Sequence, residues 1–332
     1  MHGPAQARFL FGVAAALCFC VQPPAARGAD RRSPVSEALP ATAPASSSVP
    51  DVRTGMALQT LLDRQNFSCG CIDGVLGRKT REALRAWQRS RGAPETGRVD
   101  SALRTAVGEP GAYFTRHVVS AEELAALAPI PPTWLGKSQA QRLGYETLLE
   151  SLAEESHASE DAIRGLNPEA GWPNPAQGTV LTVPNPMPAL KRAAARLEIQ
   201  LGARRLLAFD AADRLIALFP CSIARDVAKR PIGELKIVNA AANPTYTFDP
   251  ALFAESDDAR TLTGKLILPP GPNSPVGVVW LSLNAPGYGI HGTPRPEDIG
   301  SAESHGCFRL ANWNARKLLS MVSIGTPVTI QP

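Results

Sequence analysis

Gly287-Tyr288-Gly289-Ile290-His291-Gly292-Thr293 and, one loop later, Ser304-His305-Gly306-Cys307-Phe308-Arg309-Leu310 are the stretches that decide the reading of this chain. A thiol such as Cys307 has an ordinary pKa of about 8.5, so attack on a carbonyl at neutral pH needs a base or a field that favours thiolate. Two histidines are candidates: His305, two residues before the cysteine, and His291, sixteen before it. Residues i and i+2 of a strand share a face, but the ring of the first is poorly placed to reach back to the second. A loop of sixteen residues returns His291 to the sulfur with free choice of angle, so His291 is assigned as general base. A base needs a group that orients it. No acid flanks His291, and the carbonyl of Gly292, bare of a side chain, is the candidate. Gly306 permits a tight backbone path, from which the amides of Gly306 and Cys307 point at a developing oxyanion. Arg309 offers a planar guanidinium for a substrate carboxylate.

The residues before this pair alternate as strands. Arg196–Leu201, Arg204–Phe209 and Leu215–Phe219 are separated by Gly202-Ala203 and by Asp210–Asp213, which reads as hairpins. Leu235–Val238, Lys265–Leu268 and Val276–Leu283 continue the pattern, and Pro327–Ile330 closes it. One helix is expected, near the end, with Asn312 as its N-cap and Ala315, Leu318, Leu319 and Val322 on one face. Cys221 reads as structural. Trp280 and Tyr288 have the character of core residues, and Pro269–Pro275 that of a cleft edge. His117 and His157 belong to no recognisable constellation.

The chain has 332 residues, a length that predicts two or three domains. Its 44% hydrophobic and 19% charged residues are globular proportions and exclude bulk disorder. Thirty-four basic against 30 acidic residues leave a net charge of +4, too balanced for tracking phosphates, so nucleic acid is excluded as a partner. Residues 1–29 read as a secretory signal, with Arg8 ahead of an apolar run from Phe9 to Val21 and Ala26-Arg27-Gly28 as a cleavage site. Leu17 and Phe19, before Cys18 and Cys20, are too large for a lipid-attachment site. Removal of 1–29 takes away Arg8 and Arg27 and no acid, which lowers the net charge from +4 to +2. The remaining cysteines, Cys69, Cys71, Cys221 and Cys307, are too few for a disulfide scaffold and lack histidines at ligand spacing, so no metal is expected. Nothing else is apolar over the length a membrane-spanning helix requires.

Residues 30–50 form a flexible, Pro- and Ala-rich linker. Residues 51–110 read as three short helices. Leu58, Leu61 and Leu62 line the first, Thr80, Ala83, Leu84 and Trp87 the second, and Asp100 caps a third that carries Leu103 and Val107. Residues 111–142, with Pro129, Pro131 and Pro132, read as a connector. In 143–186, two helical stripes (Leu148 to Ala153, then Ile163 and Leu166) precede a strand, Val180–Val183. The last segment, 190–332, carries the strands and the Cys307–His291 pair.

Segment 196–331 resembles the catalytic domain of L,D-transpeptidases, the YkuD fold, on His291, Ser304-His305-Gly306-Cys307-Phe308, Arg230-Pro231-Ile232-Gly233-Glu234 and Gly325-Thr326-Pro327-Val328. Where the older signature often has Asn two residues after the cysteine, this chain has Arg309. The string Leu58-Gln59, Asp73-Gly74, Thr80, Ala83-Leu84, Trp87-Gln88 and Gly97–Asp100 resembles a three-helix peptidoglycan-binding domain, with Trp87 in its core. The second half of 143–186 resembles a LysM module, a βααβ unit, but the opening strand is missing just before its helix. The resemblances imply a multidomain fold with a mainly-β catalytic domain. They imply a cofactor-free enzyme of the periplasm or cell envelope whose partner is peptidoglycan. Cys307 would attack the diamino-acid carbonyl of a tetrapeptide stem, D-alanine would leave, and an amine acceptor would resolve the thioester to a 3→3 cross-link. Arg309, Tyr288, Ser304 and His305 would contact substrate. Three other readings remain. One is an L,D-carboxypeptidase on the same fold. A second is a papain-like endopeptidase, which the His-before-Cys order opposes. A third is a non-catalytic wall-binding protein, which the intact His291 and Cys307 oppose.

Overall fold

The computed structural model describes residues 51–187, 189–252, 256–300 and 306–332. The expected signal sequence and linker, and Ser304 and His305, lie outside them. The chain enters through α1 (Val52–Arg64), which starts where the Asp51 carboxylate accepts from the Thr54 amide at 3.1 Å. α2 (Arg78–Arg89) and α3 (Ser101–Val107) follow, and Asp100 caps α3 as expected, accepting from Leu103 N at 2.8 Å. Leu58, Leu61 and Leu62 meet Ala83, Leu84, Trp87 and Leu103 in one cluster, in which Trp87 is a core residue.

The expected connector, 111–142, is structured instead. β1 (Phe114–Val118), α4 (Ala121–Ala125) and α5 (Trp134–Gln139) lie within it. Ser120 and Glu123 form a reciprocal capping box on α4, and Thr133 caps α5, while the prolines fall between the two helices. Next come α6 (Leu148–Glu155), α7 (Glu160–Leu166) and β2 (Val180–Pro184). β2 pairs antiparallel with β1, from Phe114 opposite Pro184 to Val118 opposite Val180. β1 and β2 thus bracket the four helices α4 to α7, and no strand stands directly before α6.

The strands β3 (Arg196–Gln200), β4 (Arg205–Phe209) and β5 (Leu215–Pro220) form the expected antiparallel hairpins. β6 (Gly233–Ala242) is followed by β7 (Tyr246–Phe248), the short α8 (Asp257–Arg260) and β8 (Leu266–Leu268). Then come β9 (Val279–Leu283), β10 (Gly289–His291), β11 (Phe308–Arg309), α9 (Asn312–Met321) and β12 (Pro327–Gln331). Eight strands make one mixed sheet in the order β11-β10-β9-β6-β12-β3-β4-β5. β6 pairs with β12 through its first half and with β9 through its second, and the register shifts between Ile237 and Asn239. Such a bulge bends the strand, so β6 is where the sheet turns. β8 departs from the expected pattern: it pairs with β7 in a separate two-stranded ribbon. α8 likewise adds a helix where one C-terminal helix was expected.

Every residue of β5 is buried. A strand covered on both faces reads as a continuous apolar run, and Leu215–Phe219 is one. One face joins the catalytic-segment core. On the other, Leu207, Phe209, Leu215 and Leu218 pack with Leu62, Phe67, Leu84 and Trp87. Fewer than 60 residues make a marginal core, and the helical segment enlarges its own by sharing the sheet. Leu218 also exchanges backbone hydrogen bonds with Asn66 and Ser68, both at 2.9 Å. A buried ionic knot reinforces this joint. Lys317 Nζ on α9 donates to Asp63 Oδ2 at 2.6 Å, and His157 Nδ1 donates to the same oxygen at 2.8 Å. The His157 ring stacks on Trp313 at 5.2 Å. His157 therefore does belong to a constellation, assembled from three distant stretches of chain. Val49–Pro332 form one compact unit.

Candidate active site

β10 and β11 are parallel neighbours, with Ile290 opposite Phe308 and His291 opposite Arg309. Ile290 and Phe308 are fully buried and pin the pair to the core. Cys307 immediately precedes β11, level with Gly289, so the parallel register puts it on the same face of the sheet as His291, two residues along. Both line one cavity of about 670 Å³. His291 Nδ1 lies 2.6 Å from the Gly292 carbonyl. A carbonyl only accepts, so Nδ1 carries the hydrogen and Nε2 keeps its lone pair. The Trp280 ring stacks on the imidazole at 5.4 Å, and Cys307 Sγ lies 3.4 Å from the Gly287 carbonyl.

Asn312 packs closely against Gly292. Asn312, expected as a helix cap, is instead the first helical residue after Ala311, and its side chain faces inward. Oδ1 accepts from Val278 N at 3.2 Å, and Nδ2 donates to Glu154 Oε2 at 2.7 Å and to Pro272 O at 3.1 Å. A Cβ on Gly292 would overlap Asn312 Oδ1, and a Cβ on Gly277 would meet both. Gly277 also has φ +59°, the left-handed region that glycine adopts without strain. The two glycines leave room for the amide that braces the turn after His291.

Burial pushes the His291 imidazolium down to about 4. The Gly292 contact opposes this, and the Arg309 charge adds to it. Burial pushes the Cys307 thiol up, against the Gly289 amide and Arg309, which favour thiolate. These directions favour a neutral imidazole at His291 and the thiol form of Cys307 over an ion pair. Arg309 lines the cavity, and its buried Nε has no hydrogen-bond partner among the described residues. Lys137, Lys229 and Arg295 line it as well, and no described Asp or Glu does.

The structure brings together His291, Gly292, Gly306, Cys307 and Arg309. Tyr288 packs against the sheet core and does not line the cavity, whereas Trp280 lines it. Asn273 and Pro275 realise the expected cleft edge. Trp134 and Lys137 on α5, and Tyr246 and Thr247 on β7, are lining residues that the sequence reading did not include. A larger cavity of about 840 Å³ lies between α1, α7 and Glu297 and is lined by Cys69 and Cys71. Burial pushes the Cys71 thiol up to about 12, and Cys69 higher still, which makes both poor nucleophiles. Among the described residues, no group of three or more His, Cys, Asp or Glu side chains could hold a metal. No described helix is long and apolar enough to cross a membrane.

A half-buried thiol and a buried imidazole that line one cavity beside a mixed sheet define a candidate cysteine-dependent acyl-transfer site. Residues 194–330 match the L,D-transpeptidase catalytic domain family, and residues 56–107 match the family described as "Putative peptidoglycan binding domain". The chain is 30% identical over 187 residues to the "Putative L,D-transpeptidase YkuD" of Bacillus licheniformis, which covers 55% of this chain and 93% of the relative. It is 29% identical over 181 residues to the "Probable L,D-transpeptidase YbiS" of Escherichia coli, covering 54% of this chain and 58% of that protein. Among solved structures, the L,D-transpeptidase from Xylanimonas cellulosilytica aligns over 85% of this chain and 93% of its own, at 16% identity and a TM-score of 0.34. The chain belongs to the YkuD family of L,D-transpeptidases.

Proposed function

We propose that this protein is an envelope-located L,D-transpeptidase that forms 3→3 cross-links in peptidoglycan through a thioester on Cys307. The observation that carries the reading is the contact between His291 Nδ1 and the Gly292 carbonyl, which leaves Nε2 as the base. Cys307 gives its proton to Nε2 while sulfur attacks the carbonyl carbon of the diamino acid in a tetrapeptide stem. The amides of Gly306 and Cys307 receive the oxyanion. As the tetrahedral intermediate collapses, the C–N bond breaks, His291 protonates the departing amine, and D-alanine leaves. An amine of a second stem then attacks the thioester and gives its proton to His291, and the sulfur leaves to be reprotonated. Arg309 holds the terminal carboxylate of the donor, and Ser304 and His305 are further substrate contacts. The helical segment 51–110 keeps the catalyst on its polymeric substrate, which raises local concentration. The βααβ unit, LysM-like in its second half, serves as a further contact with the wall.

The test is a carbapenem incubation followed by intact mass. One covalent adduct is expected, absent from Cys307→Ala. An unmodified mass for the folded wild-type protein would overturn the assignment of the nucleophile. Muropeptide products separate the acceptors: cross-linked dimers identify an amine, and tripeptide stems identify water.

A further inference from the structure

By chain order, α5 belongs to the insertion between β1 and α6, outside the catalytic segment. It is nevertheless fastened to the catalytic segment. Trp134 N donates to Asp258 Oδ2 at 2.5 Å, and Trp134 Nε1 donates to Ser256 Oγ at 3.2 Å. Its ring stacks on Phe248 of β7 with centroids 4.0 Å apart and planes within 13°. Leu143, Phe248, Ala259 and Leu268 make a small separate core beneath it, on which Ile130 and Ala140 also pack. The β7–β8 ribbon, which carries Tyr246 and Thr247 into the cleft, is thus clamped by the insertion.

Lys137 is the next residue of α5 to face the cleft. It is half-buried, its Nζ lies 5.0 Å from the Trp134 ring centroid, and it lines the same cavity as Cys307 and Arg309. A surface lysine often does no more than lay its methylene stem over an aromatic ring. Two observations argue for more. Lys137 forms no ion pair with any described residue, and the described lining holds four cations and no carboxylate. Of those four, Arg295 is engaged by Asp298 at 3.4 Å. Like charges gathered in excess of their counter-charges in a cleft repel one another and raise the local concentration of anions. The complement of such a cleft is a ligand with more than one negative group.

We propose that Lys137 is a specificity-determining residue that binds a second carboxylate of the donor peptide, one other than the terminal carboxylate assigned to Arg309. This rests on the reading of the cleft as the donor site of an L,D-transpeptidase. The accessory insertion then selects acidic stems over amidated ones.

The test uses the full chain and two synthetic tetrapeptide stems that differ only in whether the non-terminal carboxylates are free or amidated. Acylation of Cys307 is followed by intact mass, and kcat and KM are measured separately. Wild-type protein should prefer the free-carboxylate stem. Lys137→Ala should reduce that preference about tenfold, through KM rather than kcat, the scale of one lost charge-assisted hydrogen bond. Lys137→Arg should restore most of it, and Lys137→Glu should reverse it. An unchanged preference in Lys137→Ala and Lys137→Glu would overturn the proposal and leave Lys137 as a cover for Trp134. A loss through kcat, equal on both stems, would do so too. Acylation of wild-type protein by neither stem would strike the transpeptidase reading itself, a result distinct from either of these.

Discussion

The two sides of the catalytic cleft are built on opposite terms. On one side, His291, Gly292, Gly306, Cys307 and Arg309 come from within about twenty residues of chain, and a pair of parallel strands aligns them. On the other side, Trp134 and Lys137 reach the cleft through contacts with residues more than 120 positions away, such as Trp134 with Asp258. The first side rests on the main core, the second on a small satellite core. Chemistry packed into one segment leaves a motif in the sequence. Chemistry assembled by packing does not, and it can change without disturbing the reaction it surrounds.

The largest effects should follow from breaking the first side. His291→Gln should lower the rate of Cys307 acylation by about a thousandfold, within the range for losing a general base. Cys307→Ala should leave none. Single-turnover acylation followed by mass spectrometry reads both. A His291→Gln enzyme within tenfold of wild type would mean that another base serves the thiol.

The contrast also explains what could be read in advance. The hairpins β3–β5 were legible because alternation and the turn residues Gly202 and Asp210–Asp213 are local signals. His291 and Ser304-His305-Gly306-Cys307 were legible as a motif within one short stretch, whereas the parallel pairing of β10 with the two-residue β11 has no alternation to announce it. Asn312 was misread because Asn before an apolar helix is also the signature of a cap, and its true partner Glu154 lies 158 residues away. His157 escaped notice in the same way, since Asp63 and Lys317 stand nowhere near it in sequence. In 111–142 the three prolines are a louder signal than the helix caps Ser120, Glu123 and Thr133, and they hide a clamped cleft wall behind the composition of a connector.

The shared core beneath β5 predicts that the helical segment and the catalytic segment unfold together. Burial alone would raise the Asp63 carboxyl, but Lys317 and His157 outweigh that and hold it well below the usual carboxylate range. Lys317→Met leaves a buried carboxylate short of its cation and should destabilise the fold by about 3 kcal/mol, visible as a lower Tm. If the transition stays single, the two segments form one cooperative unit; a split transition would show them to be independent. Because the folded pKa of Asp63 is depressed, its contribution is present above the unfolded value of about 3.9 and is lost as pH falls through the folded one. Burial also lowers the His157 imidazolium, so the unfolded chain binds that proton more readily and stability already falls below about pH 6.5. Lys317→Met should flatten the part of this acid dependence that belongs to Asp63.

Smaller effects should come from the bracing of the base. Gly292→Ala places a Cβ against Asn312 Oδ1, and either the amide or the Gly292 carbonyl must move. The imidazole then loses its fixed tautomer, and kcat should fall by about tenfold to a hundredfold with the fold retained, the cost expected for a mispositioned catalytic group. Circular dichroism and single-turnover acylation together check this. A loss confined to KM would assign Gly292 to substrate contact instead.

The finest test concerns where the acid limb of the rate profile lies. His291 must be unprotonated to accept the thiol proton, and burial, aided by Arg309, sets its imidazolium at about 4. The kcat/KM of the free enzyme should therefore stay flat as pH falls through 6.5, where an ordinary histidine would titrate, and decline only near 4. Arg309→Met removes one of the two influences that depress His291 and so should move that limb upward. The same substitution deprives the thiolate of a cation, so the Cys307 limb should also move up, away from neutrality. A joint upward displacement of both limbs identifies Arg309 as an electrostatic neighbour of the pair as well as a carboxylate holder. A change in KM with both limbs unmoved would confine it to the second role, and the two sides of the cleft would then divide cleanly into one that reacts and one that binds.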